Sequence, residues 1–229
     1  MSPFFQVTLR TSDVAAARAF YASVLGDVVL DVVQLHEQAV ARGARPHWLG
    51  FVEVGDVDLT AAAFVARGAA PLGPKWVNPA GLEAAVLRDP GGAIVALGKP
   101  PGPTTGSGVD WFLLNTNDVE RARANYGELF GWAYKAPLEL GALGVFHPFS
   151  WGREGPVVGS MSDLSGRPGV HPHWLFHFPV AGFDAAVEAV KRGGGVVAGP
   201  MTLPSGERIA VCDDPQGAAF ALRHEGVRS

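Results

Sequence analysis

The sequence predicts an α+β protein in which four modules, each a strand, a helix and several further strands, follow one another along the chain. Three observations favour this class. The chain repeats itself, its first helices begin at aspartates, and each half ends with an Asp-Pro-x-Gly turn before a last strand. Such a repeat indicates two homologous halves of two modules each. Short strands with hairpin turns predict mostly antiparallel pairing.

Three ungapped blocks occur twice in the same order, at offsets of 126, 105 and 125 positions. They pair His47–Leu49 with His173–Leu175, Asp13–Gly26 with Asp118–Gly131, and Asp89–Ala93 with Asp214–Ala218. Homologous halves of this kind usually pack about a pseudo-twofold axis, so the cleft that each half forms is the first place to expect function.

Each half opens with a strand and a capped helix. Asp13 and Asp118 can accept hydrogen bonds from the free amides of a first helical turn. Gly26 and Gly131 suit the left-handed conformation that ends a helix. The predicted opening strands are Phe4–Arg10 and Asp110–Asn115.

The second module of each half repeats this scheme. A strand is followed by a helix, a polar hairpin region, a further strand, the Asp-Pro-x-Gly turn and a last strand. Proline fixes φ in such a turn and glycine accepts a positive φ. The predicted helices are Val57–Arg67 and Phe183–Arg192; the predicted strands are Trp48–Val54, Leu82–Leu87, Ala93–Leu97, Trp174–Val180, Ile209–Val211 and Ala218–Leu222.

The two halves differ in length. His47 follows Gly26 by 21 positions, whereas His173 follows Gly131 by 42. The first module therefore lacks a hairpin and keeps one strand, 28–35, and a helical stretch, 37–42, whereas 144–149 and 156–162 are extra strands of the second half. Gly, Pro, Ser and Thr dominate the segment between the halves, which predicts domains at 1–98 and 109–229 joined by a linker at 99–108.

Composition excludes several functional classes. A formal net charge of −4 gives no basic footprint for nucleic acid, and no apolar run reaches the roughly 20 residues that span a bilayer. The single cysteine, Cys212, fits a reducing compartment and a packed strand position better than a catalytic thiol. We expect a cytoplasmic monomer or homodimer. Hydrolase, zinc-protease and nucleotide-binding motifs are absent from the sequence.

The tandem modules, the Asp-Pro-x-Gly turns and the helices that end in Tyr-x-x-x-Leu/Phe-Gly resemble the vicinal oxygen chelate superfamily. Its members include glyoxalase I, bleomycin-resistance proteins and extradiol dioxygenases. The resemblance covers nearly the whole chain and implies two glyoxalase-like domains in tandem. It also implies a cup in each half that holds a divalent metal, which polarises two neighbouring oxygens of a substrate.

The metal-binding positions that this resemblance implies are mostly not occupied by metal ligands. Gln6 is acceptable on the first strand of the first half, and a trio of Gln6, Glu37 and His47 is the one set that could still hold a divalent ion. We therefore expect no metal cofactor. The other corresponding positions are Leu49, Ala96, Trp111, Leu175 and Ala221, with His36 or Glu37 and Ser160 or Met161 at the positions that align least clearly.

Candidate binding residues concentrate in the second half. Alternation places His173, Leu175 and His177 on the cup face of one strand, with Trp174 and two phenylalanines on the core face. His177 has Phe51 as its counterpart and is the best candidate for a general base, because its ordinary pKa is near 6.5. His173 repeats His47, which favours a structural role for both. The complete set of predicted pocket residues is Gln6, His47, Trp111, Asn115, Trp151, His173 and His177.

Three functions remain open. The first is a protein that binds a small organic molecule in the second-half cup without a metal, as the bleomycin-resistance proteins do. The second is a metal-dependent lyase, isomerase or dioxygenase, and the third is a structural or regulatory pair of modules without a ligand. Alanine at positions 96 and 221 favours the first hypothesis over the second. Aromatic walls at Trp111 and Trp151 would favour it over the third, because they suit a planar ligand; simple core packing of both side chains is the alternative.

Overall fold

The structure is a computed structural model that describes residues 3–103, 108–167 and 169–224. In these ranges it contains five α-helices, one short 3-10 helix and sixteen strands in two sheets. The predicted α+β class is confirmed. Positions 104–107 of the predicted linker lie outside the described residues. Within the described ranges, no helix has the length and apolar character needed to cross a membrane.

The first half forms a seven-stranded sheet in the order β2-β1-β3-β7-β6-β4, with β5 also paired to β6. Its first module contains only β1, α1, β2 and the short α2, so the predicted truncation is confirmed. The predicted strand 28–35 is shorter than expected and begins at Asp31. The elements are β1 Phe4–Thr11, α1 Val14–Leu25, β2 Asp31–Gln34, α2 Glu37–Ala41, β3 His47–Glu53, α3 Val57–Ala66, β4 Ala70–Pro71, β5 Trp76–Val77, β6 Glu83–Arg88 and β7 Ile94–Lys99.

The second half forms a nine-stranded sheet in the order β10-β11-β12-β8-β13-β16-β15-β14, with β9 also paired to β11. The 3-10 helix Gly141–Leu143 connects β10 to β11, and this hairpin has no counterpart in the first half. The elements are β8 Trp111–Thr116, α4 Val119–Phe130, β9 Ala133–Tyr134, β10 Leu138–Glu139, β11 Val145–Ser150, β12 Gly159–Asp163, β13 His173–Pro179, α5 Phe183–Arg192, β14 Val196–Thr202, β15 Arg208–Asp213 and β16 Ala219–His224.

The aspartate caps, the helix-ending glycine of α4 and the two Asp-Pro turns form at the positions that the sequence predicted. The Asp13 carboxylate accepts a hydrogen bond from Ala16 N at 2.9 Å, and Asp118 accepts one from Arg121 N at 3.0 Å. Gly131 ends α4 in the left-handed conformation at φ 73°. In the two Asp-Pro turns, Asp89 and Asp214 each accept a hydrogen bond at 2.9 Å from the amide four residues later. Each turn thereby leads into the last strand of its sheet.

The chain folds into two compact units that do not coincide with the two halves. Unit 1 comprises the described residues of 1–6, 50–107 and 112–174. Unit 2 comprises those of 7–49, 108–111 and 175–229. Each unit therefore combines one part of the first half with one part of the second, whereas each sheet belongs to a single half.

In unit 1, a buried hydrogen-bond chain joins the two halves. Trp174 Nε1 donates to the Tyr126 hydroxyl at 3.3 Å, and that hydroxyl donates to Asp89 Oδ2 at 3.0 Å. Phe64 of α3 packs edge-on against the Tyr126 ring, with 5.8 Å between ring centroids. Burial raises the pKa of Asp89, although its hydrogen bonds oppose that shift. The chain satisfies the polar atoms of three side chains that are almost completely closed to water.

Unit 2 contains the same chain, built from the repeated residues. Trp48 Nε1 donates to the Tyr21 hydroxyl at 3.1 Å, and Tyr21 donates to Asp214 Oδ2 at 3.2 Å. Burial and the nearby carboxylate raise the pKa of Tyr21 well above its usual value, so the hydroxyl keeps its proton. Gln216, in the same Asp-Pro turn, accepts a hydrogen bond from Thr11 Oγ1 at 2.7 Å. The repeated tryptophan, tyrosine and aspartate thus hold a helix of one half to a turn of the other.

We predict that Tyr126→Phe lowers the free energy of unfolding by about 1–3 kcal/mol, because it leaves the Trp174 N–H and the Asp89 carboxylate without their common partner. Urea denaturation monitored by tryptophan fluorescence measures the change. Tyr134→Phe is the matched control, because the Tyr134 hydroxyl is buried and bonds to no described residue. Equal losses in the two variants would show that the hydrogen-bond chain does not stabilise the fold.

Candidate functional site

The second-half sheet is more densely filled at its centre than the sequence suggested. Alternation predicted an exposed cup face at Leu175 and His177, but both side chains are only 2% exposed. The opposite face, with Phe176 and Phe178, is buried as expected. In unit 2, the candidate binding residue His177 therefore lies beneath the surface of this sheet and not in an open cleft.

His177 is a buried imidazole without a polar partner. Neither of its ring nitrogens bonds to any described residue. Burial, and secondarily the positive charge of Arg223, lower the pKa of His177 to about 3. The ring is therefore neutral near pH 7, with one nitrogen that donates and one that accepts. A base of this strength is poorly suited to proton abstraction at neutral pH, which argues against the predicted role of His177 as general base.

Arg223, which sequence reasoning did not identify, organises this part of unit 2. It lies on β16 two residues after Ala221, the β-ladder partner of His177, and therefore on the same face. Its guanidinium lies 5.1 Å from the centre of the Trp111 ring and 2.8 Å from Asp110, and it also bonds to Glu207. Burial lowers the pKa of Arg223, but the two carboxylates outweigh this effect and raise it. The alternation of β16 was the signal that could have identified this residue.

The repeated histidines make the same local bond. In unit 2, His47 Nδ1 lies 2.7 Å from the Arg45 carbonyl; in unit 1, His173 Nδ1 lies 2.8 Å from the His171 carbonyl. A carbonyl only accepts, so Nδ1 carries the hydrogen in both rings. Burial lowers the pKa of His47, the Arg45 carbonyl raises it, and nearby Arg10 lowers it. The repeat of the histidine is thus accounted for by a bond at the start of a strand.

In unit 1, the structure brings together two of the predicted pocket residues. Asn115 Nδ2 lies 3.3 Å from His173 Nε2, and Ser162 Oγ donates to Asn115 Oδ1 at 2.9 Å. Asn115 and Ser162 are paired in the parallel ladder of β8 and β12, which explains why their side chains share a face. Ser162 was missed because its strand partner could not be identified from sequence.

The two remaining predicted pocket residues also lie in unit 1. Gln6 is half-buried on β1. Trp151 lies within an aromatic cluster, with ring centroids 4.8 Å from Trp132, 5.2 Å from Phe112 and 5.9 Å from Phe4. These ring contacts favour the core-packing alternative for Trp151, whose side chain is half-buried.

Four of the residues at the metal-binding positions that the resemblance implies offer no ligand to a metal. Leu49, Ala96, Leu175 and Ala221 have no lone pair to offer and are 0–2% exposed. Among residues 3–103, 108–167 and 169–224, no three His, Cys, Asp or Glu side chains converge as ligands. Borderline and hard divalent ions require several such donors.

Cys212 is buried on β15. Burial, with a contribution from Asp213, raises the pKa of its thiol to about 12, so almost no thiolate exists at neutral pH. The packed position expected from its strand context agrees with this burial, and the thiol is not suited to nucleophilic chemistry.

Two tandem sheets, with modules that each place a helix against strands, define a class of fold that comparison with known proteins identifies. Residues 108–222 match the model of the Glyoxalase/Bleomycin resistance protein/Dioxygenase superfamily. The chain belongs to this superfamily.

Two relatives extend the match beyond the second half. "Putative glyoxylase CFP32" of Mycobacterium bovis is 31% identical over 94% of this chain and 92% of its own length. "Anthracycline biosynthesis protein DauV" of Streptomyces sp. strain C5 is 33% identical over 76% of this chain and 64% of its own length.

Solved structures share the fold at low sequence identity. The 2,3-dioxygenase LapB of Pseudomonas sp. KL28 superposes with a TM-score of 0.63 at 13% identity, over 96% of this chain and 91% of LapB. The Mn(II)-bound glyoxalase of Novosphingobium aromaticivorans gives 0.60 at 12% identity, over 98% of this chain and 83% of that enzyme. At these identities the similarity establishes the fold alone.

We predict that His177 makes the protein less stable in mild acid. The unfolded chain binds a proton near the usual pKa of 6.5, whereas folded His177 binds one only near pH 3. The free energy of unfolding is therefore not lowered by His177 above about pH 6.5. Below that pH it decreases progressively, by about 2–3 kcal/mol at pH 4.5. Urea denaturation at pH 7.5, 6 and 4.5 measures the loss.

The control is His177→Phe, which introduces the residue found at the equivalent position 51. It should lose less stability than the wild type between pH 7.5 and 4.5, because it cannot take up this proton. Superimposable pH profiles for the two proteins would contradict the buried, neutral state of His177.

Proposed function

We propose that the protein binds a small organic molecule at the second-half sheet without the metal that other superfamily members use. The observation that carries this proposal is His177. A neutral imidazole with two unpaired nitrogens is costly to bury unless a polar group pairs with it at some stage of the protein's function. A bound ligand that supplies a hydroxyl or carbonyl oxygen would satisfy the ring.

The composition of this face supports a binding role over the metal-dependent reactions of the superfamily. Ala221, the ladder partner of His177, stands where the family would need a glutamate. The described residues at this face offer too few donors to hold a divalent ion without that carboxylate, so we derive no catalytic step through one. The interpretation as a lyase, isomerase or dioxygenase therefore has less support than the binding hypothesis.

The ligand that best fits this face is planar and largely apolar. Trp111 is half-buried, and its ring already stacks against a guanidinium. An aromatic ligand would stack on the accessible part of the indole, and because His177 is only 2% exposed, the face has to open for an oxygen of the ligand to reach its ring. The name of the Streptomyces relative, an anthracycline biosynthesis protein, makes aromatic polyketides a reasonable first class to test. We propose that this binding takes place in the cytoplasm, in a monomer or homodimer.

We predict that an anthracyclinone or a comparable hydroxyquinone raises the melting temperature of the wild-type protein, and that Trp111→Ala weakens binding by about two- to tenfold, because stacking on an aromatic ring contributes about 0.5–1.5 kcal/mol. Isothermal titration calorimetry measures the affinity. Trp76→Ala is the control, because Trp76 belongs to the first-half sheet and packs against Phe51.

Elemental analysis of untagged protein accompanies the titration. A stoichiometric divalent ion that is required for ligand binding would replace the binding proposal with the metal-dependent alternative. Equal affinities in Trp111→Ala and Trp76→Ala, or the absence of binding across a panel of planar aromatic compounds, would remove the second-half face from consideration.

A further inference from the structure

Three charged side chains meet beside Trp111 in unit 2. Arg223 on β16 lies between Asp110, which precedes β8, and Glu207, which precedes β15. Its Nη1 donates to Asp110 Oδ2 at 2.8 Å, and its Nη2 donates to a carboxylate oxygen of Glu207. Its Cζ lies over the Trp111 ring. The guanidinium is thus engaged on two edges and one face, which leaves little of it for the carboxylate of a ligand.

The charges of this group do not cancel. One guanidinium faces two carboxylates, so Arg223, Asp110 and Glu207 together carry a net negative charge. Their side chains are only 11%, 27% and 22% exposed, so solvent screens these charges in part. His177 adds no charge near pH 7, because burial and the charge of Arg223 lower its pKa to about 3. An organic anion would therefore be repelled at this face, whereas an uncharged ligand would not.

The first half shows that the fold accepts an apolar side chain at the position of His177. In unit 1, Phe51 of β3 is opposite Ala96 of β7. In unit 2, His177 of β13 is opposite Ala221 of β16, so positions 51 and 177 are structurally equivalent. Both side chains are 2% exposed. A phenyl ring fills this place without an unsatisfied polar atom, so packing alone does not account for an imidazole there.

The neighbouring positions of the first half are apolar as well. By the repeat, Gly98 stands where unit 2 has Arg223, and Phe5 stands where it has Asp110. The Phe5 ring fills the space beside Gly98, since a Cβ on that glycine would lie 2.8 Å from Phe5 Cζ. The ring centroids of Phe5 and Phe51 are 6.2 Å apart, with the rings edge to face. The polar groups of unit 2 are therefore not demanded by the fold, which points to a ligand as the reason for them.

A hydroxyl group matches the imidazole of His177 better than a carboxylate does. One ring nitrogen donates and the other accepts, and a hydroxyl can pair with either. A carboxylate only accepts, and it brings a charge that Asp110 and Glu207 oppose. Trp111 offers its ring to the apolar body of the ligand.

We infer that this face selects uncharged, hydroxyl-bearing aromatic molecules, an inference that rests on the binding function proposed above. The hydroxyl pairs with His177 once the face has opened. Asp110 and Glu207 exclude organic anions, because they occupy Arg223 and leave the face negatively charged.

The test compares three naphthyl compounds that differ in one substituent: 2-naphthylmethanol, the anionic 2-naphthoate and 2-methylnaphthalene. Calorimetric titration near pH 7 measures their affinities for the wild-type protein. The alcohol should bind at least about tenfold more tightly than naphthoate, because of charge repulsion. It should bind about two- to tenfold more tightly than the methyl compound, because of one hydrogen bond to a neutral group.

Two variants identify the residues responsible for this selection. Glu207→Gln preserves size and an acceptor for Arg223 but removes one negative charge, so naphthoate binding should strengthen about threefold or more while the alcohol is unaffected. The matched control is Glu188→Gln, because Glu188 is an exposed glutamate of α5 that pairs with Lys191. His177→Phe should abolish the advantage of the alcohol over the methyl compound.

Asp110→Asn should act in the same direction as Glu207→Gln, so the result does not depend on one variant, and melting curves establish that each variant is folded. If naphthoate binds the wild type as tightly as the alcohol, the binding site stands and selection by charge is wrong. The same conclusion follows if Glu207→Gln and Asp110→Asn bind naphthoate no better than Glu188→Gln. If none of the three compounds binds, the proposed function at this face fails and the inference fails with it.

Discussion

The fold depends on a buried tyrosine hydroxyl that occurs twice. In each unit the hydroxyl accepts from a tryptophan N–H and donates to the carboxylate of an Asp-Pro turn. Because these groups are closed to water, each needs its partner within the protein, and the hydroxyl is the one group that can donate and accept at once. The turn that leads into the last strand of one half is thereby fixed to a helix and a strand of the other. The aromatic cores around Tyr21 and Tyr126 are built about these two points.

Local features of the fold could be predicted because they depend on a few adjacent residues. The caps at Asp13 and Asp118, the helix end at Gly131 and the two Asp-Pro turns all lie where the sequence indicated. The partners of the tyrosines could not be predicted in this way. The repeat showed that tryptophan, tyrosine and aspartate matter, but not that the aspartate of one half serves the tyrosine of the other. That pairing depends on contacts between residues up to 193 positions apart.

In the candidate site as well, features that depend on single or adjacent residues could be predicted, whereas features that depend on distant contacts could not. Leucine and alanine at the family's metal-binding positions are directly evident from the sequence, and the expected absence of a metal cofactor stays a prediction. The sequence did not show that His177 would be only 2% exposed, because strand alternation does not reveal how tertiary packing closes a sheet face to water. Asn115 and His173, two members of the predicted pocket set, lie within hydrogen-bond distance of each other, and Ser162 completes their network from a strand whose alignment was uncertain.

The hydrogen bonds that join the tyrosine of each half to the aspartate of the other half also bear on the evolution of the chain. If the two halves were separated at the linker, each would keep a tryptophan–tyrosine pair without its carboxylate and an aspartate turn without its hydroxyl. Neither copy of the duplicated segment could then be discarded without exposing the other to the cost of buried, unpaired polar groups. The first module could lose a hairpin because that hairpin takes no part in the exchange. The tyrosine hydrogen bonds therefore require both copies of the duplicated segment to be kept. The surrounding strands and loops can diverge and acquire new ligands.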